Sequence, residues 1–172
     1  GSVNSKSPVA MGNLPINSVF GPPEDAGAPA SQSGTSIFDP VLCELVYRWF
    51  CPPGGLVLDP FAGGSVRGIV AVKCGRQYIG VDLSAVQLAA NDAQAQNICP
   101  ETPPRWLCGD SRHLEALCPD LATDLVFSCP PYADLERYSD NPSDLSTMRY
   151  PEFLCAYQTI IAQAVAMLKP DR

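Results

Sequence analysis

Leu56-Val57-Leu58-Asp59-Pro60-Phe61-Ala62-Gly63-Gly64-Ser65 decides the fold of this chain. A short apolar run stops at an acid and gives way to a proline and a pair of glycines. This reads as a buried parallel strand ending in a tight loop. A helical pattern follows from about Val66 to Lys73, and Cys74-Gly75 closes it. Glycine at such a strand-to-helix turn lets the backbone approach a ligand closely. The helix beyond presents its free N–H groups to that loop.

The same alternation continues outward in both directions. Before the strand, Asp39-Pro40 starts a helix, with Asp as N-cap and Pro at the first helical position. Val41, Leu42, Leu45, Val46, Trp49 and Phe50 form its expected buried face, and Pro52-Pro53-Gly54 end it. After the loop, Tyr78-Ile79-Gly80-Val81 is a second strand ending in Asp82. Ser84 with Gln87 makes a capping box that opens a helix to about Asn97. Arg105-Trp106-Leu107-Cys108 is a third strand ending at Gly109-Asp110, followed by a short helix near His113 to Leu117. Leu125-Val126-Phe127 is a fourth strand, leading into Ser128-Cys129-Pro130-Pro131-Tyr132 and a loop to Arg149. That loop reads either as a mobile cover over a substrate or as a solvated connector. Pro151 starts the last helix, whose expected buried stripe is Phe153, Leu154, Tyr157, Ile160, Ile161, Ala164, Val165 and Leu168. Strands alternating with helices give an α/β fold, a doubly wound parallel sheet of Rossmann-like type. The pattern stops after the fourth strand and its helix, where a fifth strand is expected. Either the domain is truncated or a partner supplies the rest, as a homo-oligomer or a missing C-terminal segment.

Composition bounds the remainder. Of 172 residues, 46% are hydrophobic and 17% charged, so the chain is globular and fits a single domain. Residues 1–35 are rich in Pro, Ser, Gly and Ala and read as a flexible N-terminal arm, with Gly1-Ser2 as a remnant of tag cleavage. Residues 36–172 carry the elements above. Eight cysteines lack any Cys-x-x-Cys pair and share the chain with one histidine, which argues against a zinc centre. They read as reduced thiols in a cytoplasmic protein. No apolar run approaches the ~20 residues of a membrane span. A net charge of −7 argues against this segment gripping a polyanion alone, since phosphate contacts need Lys and Arg.

Three readings of the glycine loop fail or are weak. A P-loop needs Gly-Lys-Ser/Thr where this chain has Gly64-Ser65-Val66-Arg67-Gly68. A nucleophile elbow needs Gly-x-Ser-x-Gly, and position 67 is Arg. A dinucleotide fingerprint is nearly matched by Gly63, Ser65 and Gly68, with Ser in the middle place. Asp82 follows about 20 residues on, at the end of the second strand, where a carboxylate can accept from ribose hydroxyls. Asp110 ends the third strand and is placed to accept from an adenine amine. Two prolines straight after a central strand are poor strand continuation and fix a rigid turn at the ligand-binding end of the sheet. A covalent mechanism through Cys129 is disfavoured because its proline follows rather than precedes it.

Together, Asp59-Pro60-Phe61-Ala62-Gly63-Gly64-Ser65 and Ser128-Cys129-Pro130-Pro131-Tyr132 resemble the cofactor and catalytic loops of S-adenosylmethionine-dependent DNA amino-methyltransferases. The family's cofactor motif is Asp-Pro-Phe-x-Gly-Ser-Gly; Gly64 and Ser65 stand here in swapped order. The resemblance implies the seven-stranded methyltransferase fold, with S-adenosylmethionine as methyl donor and S-adenosylhomocysteine as product. It implies a cofactor site of Asp59, Phe61, Gly63, Gly64, Ser65, Asp82, Leu83 and Asp110, with Ser36 or Phe38 near the methionine end. Phe38 reads equally as a hydrophobic staple before the first helix. The family's catalytic pattern is Asp, Asn or Ser before Pro-Pro and an aromatic. Here Cys129 holds the first place, and Ser128 precedes it. An exocyclic base amine is a poor nucleophile until its hydrogens are bonded by nearby acceptors. Either Ser128 reaches in, or Cys129 and the Pro130 carbonyl share the task, or this copy is impaired, since a thiol accepts weakly. Pro131 stiffens the turn, and Tyr132 would stack on a flipped base of double-stranded DNA. Tyr138 downstream favours cytosine N4 over adenine N6, and the Cys-Pro-Pro-Tyr loop suggests a phage-type subgroup of restriction-modification enzymes. An RNA or protein methyltransferase, or a non-catalytic subunit that needs a partner, stays open.

Overall fold

The computed structural model describes residues 37–132 and 136–171. The expected N-terminal arm, residues 1–35, lies outside them. The elements run α1 (Pro40–Phe50), β1 (Leu56–Asp59), α2 (Val66–Lys73), β2 (Gln77–Asp82), α3 (Ala85–Ile98), β3 (Arg105–Cys108), α4 (Leu114–Leu117), β4 (Leu125–Val126) and α5 (Tyr150–Ala166), with 3₁₀ turns at Ser111–His113 and Leu145–Thr147. The four strands are parallel in the order β3-β2-β1-β4. This is the doubly wound sheet expected, and the strand order reverses between β1 and β4. Ligands bind at that reversal, outside the carboxyl ends of the strands.

Local chemistry explains the element starts. Asp39 accepts from the amides of Val41 and Leu42 at 2.7 and 3.3 Å, capping α1. Ser84 accepts from the Gln87 amide at 3.2 Å, but the capping box is only half made. Asp82 takes the Ser84 amide instead, at 2.8 Å, and the Gln87 side chain turns to Asn91. β4 is one residue shorter than expected, although the Phe127 amide still bonds the Leu58 carbonyl at 3.1 Å.

Strand alternation feeds two layers. Leu58, Ile79 and Val81 pack with Leu114, Phe153 and Ile160 on one face of the sheet. Val57 and Tyr78 pack with Cys43, Tyr47 and Ala71 on the other. Two helix faces differ from expectation. On α1, Val41, Leu42, Leu45, Trp49 and Phe50 are exposed, and the buried residues are Cys43 and Tyr47. Tyr47 can be buried because its hydroxyl donates to the Arg67 carbonyl at 2.9 Å, and Cys43 packs as a small apolar side chain. On α5, Phe153, Ala156, Ile160 and Ala164 are buried while Leu154 and Val165 face outward. Ala156 and Ala164 lie in the same cluster as Phe153 and Ile160. The loop after Tyr132 is not a solvated connector throughout. Asp144, Leu145 and Ser146 are buried, and Asp144 accepts from the hydroxyls of Ser139 and Ser146 at 2.7 Å each.

Beyond α5, Leu168 bridges Thr123 in parallel on the side of β4 away from β1. No described helix is long and apolar enough to cross a membrane. No disulfide joins any of the eight cysteines. Among the described residues, no group of three or more His, Cys, Asp or Glu is placed to hold a metal ion.

Gly68 on α2 permits the closest helix–sheet approach. A Cβ there would lie 2.4 Å from Trp106 Cη2 and 3.0 Å from Tyr78 Cε1. Gly68→Ala should therefore destabilise the protein by about 1–2 kcal/mol, the overpacking outweighing the gain in helix propensity. A urea midpoint equal to or above that of the native sequence would refute this.

Candidate active site

The loops after β1 and β4 meet at the strand reversal, and one carboxylate organises both. Asp59 ends β1 fully buried. Its Oδ2 accepts from Arg67 Nε at 2.6 Å and from the Tyr78 hydroxyl at 2.7 Å. Its Oδ1 accepts from the Phe61 amide at 3.0 Å and from the Ser128 hydroxyl at 2.5 Å. Arg67 is itself buried and donates from Nη2 to the carbonyls of Phe61 and Ala62 at 2.7 and 3.0 Å. Burial disfavours its charge, but the charge and hydrogen bond of Asp59, with Tyr78, together outweigh that and hold the guanidinium more firmly protonated than usual. Its Cζ lies over the Phe38 ring, 4.7 Å from the centroid, and Phe38 stands edge-on to Phe127.

Gly63 has a φ of +49°, which glycine adopts without penalty. Its amide donates to Asp82 Oδ2 at 2.9 Å, and its carbonyl accepts from Asn91 Nδ2 at 2.7 Å. The loop is thus held by Asp82 on one side and by α3 on the other. Gly64 has open space where a side chain would project. Ser65 turns its hydroxyl to Gln94 on α3 and makes no cap bond to the first turn of α2. The expected cofactor residues therefore fall into two groups. Gly63, Gly64, Asp82 and Leu83 line the carboxyl ends of β1 and β2. The side chains of Asp59, Ser65 and Phe38 are spent on the scaffold beneath. Phe61 packs its ring on Tyr157, with centroids 6.2 Å apart. Asp110 is held by Arg112, whose Nη2 lies 2.6 Å from Oδ2. Partial burial pulls its carboxyl up, but the bonds from Arg112 win and hold it below the usual carboxylate range. Ser36 lies outside the described residues.

On the other loop, Ser128 faces back toward β1. Its oxygen also accepts from the Phe61 amide, at 3.1 Å. Cys129, Pro130 and Pro131 are half-buried, and Tyr132 is 58% exposed. The Cys129 sulfur lies 3.8 Å from the Tyr132 hydroxyl. Tyr138 is exposed as well, and its hydroxyl donates to Glu136. Burial and that bond push its hydroxyl up to about 12.

Sequence reasoning missed Arg67, Asn91 and Gln94. Arg67 entered it only as the residue that spoils two other motifs. Its signal was a cation in the first turn of a short helix, 8 residues after a buried acid.

An open glycine cradle, a carboxylate at the end of the next strand and a rigid Pro-Pro-aromatic turn now occupy one sheet end. Residues 37–91 match the family model of DNA methylases. That stretch runs from the residue before Phe38 through Asp82 to Asn91. Among curated relatives, the chain is 40% identical over 62 residues to the type II methyltransferase M.XycI of Xanthomonas campestris pv. cyanopsidis, covering 35% of this chain. It is 48% identical over 33 residues, 19% of this chain, to the DNA adenine methyltransferase YhdJ of Escherichia coli strain K12. The matches span only 21% and 11% of those relatives. Among solved structures, TrmN from Thermus thermophilus aligns with a TM-score of 0.58 at 24% identity, over 76% of this chain and 35% of that one. The magnesium protoporphyrin IX methyltransferase of Synechocystis PCC 6803, solved with bound SAM, aligns at 0.50 and 19% identity, over 72% and 53%. The fold is the Rossmann-like fold of S-adenosylmethionine-dependent methyltransferases, and the resemblance to DNA amino-methyltransferases rests on the family model and both relatives.

Proposed function

We propose that residues 36–172 are the cofactor-binding and catalytic portion of a methyltransferase that moves a methyl group from S-adenosylmethionine to an exocyclic amine of a DNA base. Cytosine N4 stands ahead of adenine N6. One observation carries the reading: Ser128, at the head of the Pro-Pro-aromatic turn, is bonded at the strand reversal to Asp59 and Phe61, which lead into the glycine cradle. The residues fit the cofactor. Each Asp82 oxygen accepts one backbone amide and keeps a lone pair for a ribose hydroxyl. Gly64 leaves room for the chain beyond the ribose. When bound, the cofactor supplies an electrophilic methyl group on sulfonium.

The protein's own part is positioning. The Pro130 carbonyl and the Cys129 thiol accept hydrogens of the amine, so that its lone pair turns from the ring toward the methyl group. Tyr132 stacks on the extruded base, and Tyr138 borders the same opening. The preference for cytosine rests on that second aromatic. Three arginines on the loops beyond β3 and β4 are paired with acids: Arg112 with Asp110, Arg137 with Asp140 and Arg149 with Glu152. Grip on the phosphate backbone must then come mostly from elsewhere in the assembly.

Nucleoside mass spectrometry of DNA treated with the full-length enzyme tests the proposal. N4-methylcytosine is expected. N6-methyladenine alone would overturn the base preference, and methylation of RNA without DNA would overturn the substrate class.

Asp82 adds a pH test. Burial pushes its carboxyl above the ordinary 3.8, against the amide bonds from Ser84 and Gly63 that pull it down. Its ionised form is the one that accepts from hydroxyls. Affinity for S-adenosylhomocysteine should therefore fall with pH before an ordinary carboxylate would titrate. Asp82→Asn should bind more weakly at neutral pH and lose that dependence. A calorimetric profile identical in the variant would exclude Asp82 from the site.

A further inference from the structure

We infer that Ser128, Asp59 and Arg67 form a positioning device that locks the catalytic loop to the cofactor loop, and that Ser128 serves the transfer from behind without touching the amine. The inference rests on the methyl-transfer reading above and deepens it. A serine hydroxyl has one proton to give. Here it goes to Asp59 Oδ1 at 2.5 Å, and the oxygen accepts at 3.1 Å from the Phe61 amide, whose N–H it shares with Asp59 Oδ1. Both contacts face the end of β1, away from the opening where Tyr132 is exposed.

Asp59 completes the lock. An ionised carboxylate offers about four acceptor positions. Arg67, Tyr78, the Phe61 amide and Ser128 supply four donors. Nothing remains for a ligand. Arg67 then grips the carbonyls of Phe61 and Ala62. Phe61 is thereby held at its N–H from the catalytic-loop side and at its C=O from the α2 side. Gly63 is two residues along the chain from Phe61, and Cys129 is next to Ser128. The distance between the two loops is set by hydrogen bonds to a buried carboxylate rather than by flexible surface contacts. In-line transfer depends on that distance, and a displacement near 1 Å costs about a hundredfold in rate. The amine-facing positions are therefore Cys129 and the Pro130 carbonyl. The unusual cysteine is the residue nearest the chemistry, and the serine beside it belongs to the frame.

The test compares Ser128→Ala and Ser128→Thr in the full-length chain. Turnover, the S-adenosylmethionine KM, S-adenosylhomocysteine affinity and amide exchange at Phe61 are measured for each. Ser128→Ala should lose roughly ten- to a hundredfold in kcat. Its cofactor affinity should stay within about threefold, because Gly63 and Asp82 are untouched, and the Phe61 amide, left with Asp59 Oδ1 as its one acceptor, should exchange faster. Ser128→Thr keeps the hydroxyl and should restore turnover and protection together. A kcat for Ser128→Ala within twofold of the native value would overturn the inference. So would a Thr variant as slow as Ala with Phe61 fully protected, because Ser128 would then be touching substrate. If the native protein methylates no nucleic acid, the functional reading fails, and exchange still decides the lock: unchanged Phe61 protection in Ser128→Ala would refute it. If Ser128→Ala does not fold, Ser128→Cys keeps the shape while weakening both bonds, and is compared in the same way.

Discussion

Arg67→Met should destabilise the protein by at least about 3–5 kcal/mol, a large share of its total stability. The Arg67–Asp59 pair has side chains 6% and 0% exposed, and the guanidinium bridges β1, the glycine loop and Phe38. Methionine fills similar volume but leaves a buried carboxylate without its cation. Removing one partner of such a pair costs about 3–5 kcal/mol. A domain of this size has a total stability on the order of 5–15 kcal/mol. The lost bonds to two carbonyls add to the deficit, because those acceptors stay buried. Asp59→Asn combined with Arg67→Met should recover part of the loss, since the amide needs no counter-ion. Urea denaturation followed by circular dichroism measures both. A single variant within 1 kcal/mol of the native chain, or a double variant worse than the single, would show that the pair is not the anchor of β1.

The elements were legible where a local rule fixes an end. Asp39-Pro40 caps α1, Cys74-Gly75 closes α2 and Ser84 opens α3, each by chemistry contained in a few adjacent residues. The parallel sheet followed from alternation alone. Helix faces were less legible. The face assigned to α1 gathered the largest aliphatic and aromatic residues, whereas the sheet side took Cys43 and Tyr47, which a count of hydrophobic side chains ranks low. Tyr47 is apolar along its ring and polar only at its tip, and one carbonyl of α2 satisfies that tip. On α5 Ala156 and Ala164 sit inside beside Phe153 and Ile160 while Leu154 and Val165 face outward, so position around the helix, not side-chain size, decides burial there.

The candidate site was legible as two loops and illegible as a network. Each motif could be read from consecutive residues. The bonds that join them, Ser128 to Asp59 across 69 positions and Asn91 to Gly63 across 28, are tertiary and leave no periodic trace. The sequence left Ser128 and Cys129 as competing acceptors. Geometry separates them, because only one of the two hydroxyl or thiol groups is committed to β1. The same limit explains Asp59, Ser65 and Phe38. A motif groups residues that act together, but it does not say which face the ligand and which hold the frame.

Tyr132→Ala should reduce turnover on the order of ten- to a hundredfold while sparing both stability and cofactor affinity. The ring is 58% exposed, and its recorded polar contact is the Cys129 sulfur at 3.8 Å, so little packing is lost with it. It stands on Pro130-Pro131, where φ is fixed, and its position is therefore set without ligand. An aromatic so placed contributes only when a base lies against it, which is the condition for stacking to appear in turnover or in the KM for DNA. Tyr132→Phe keeps the ring and loses only the contact to Cys129, so it should retain most of the activity. Ser128→Ala and Tyr132→Ala are then separable, because the first changes Phe61 exchange and the second does not. Methyl-transfer kinetics on DNA, with S-adenosylhomocysteine titration alongside, distinguish the outcomes. Full activity in Tyr132→Ala would remove the stacking role. A parallel loss of cofactor affinity would make Tyr132 a wall of the cofactor site, and the base would then have to enter from the side of Tyr138.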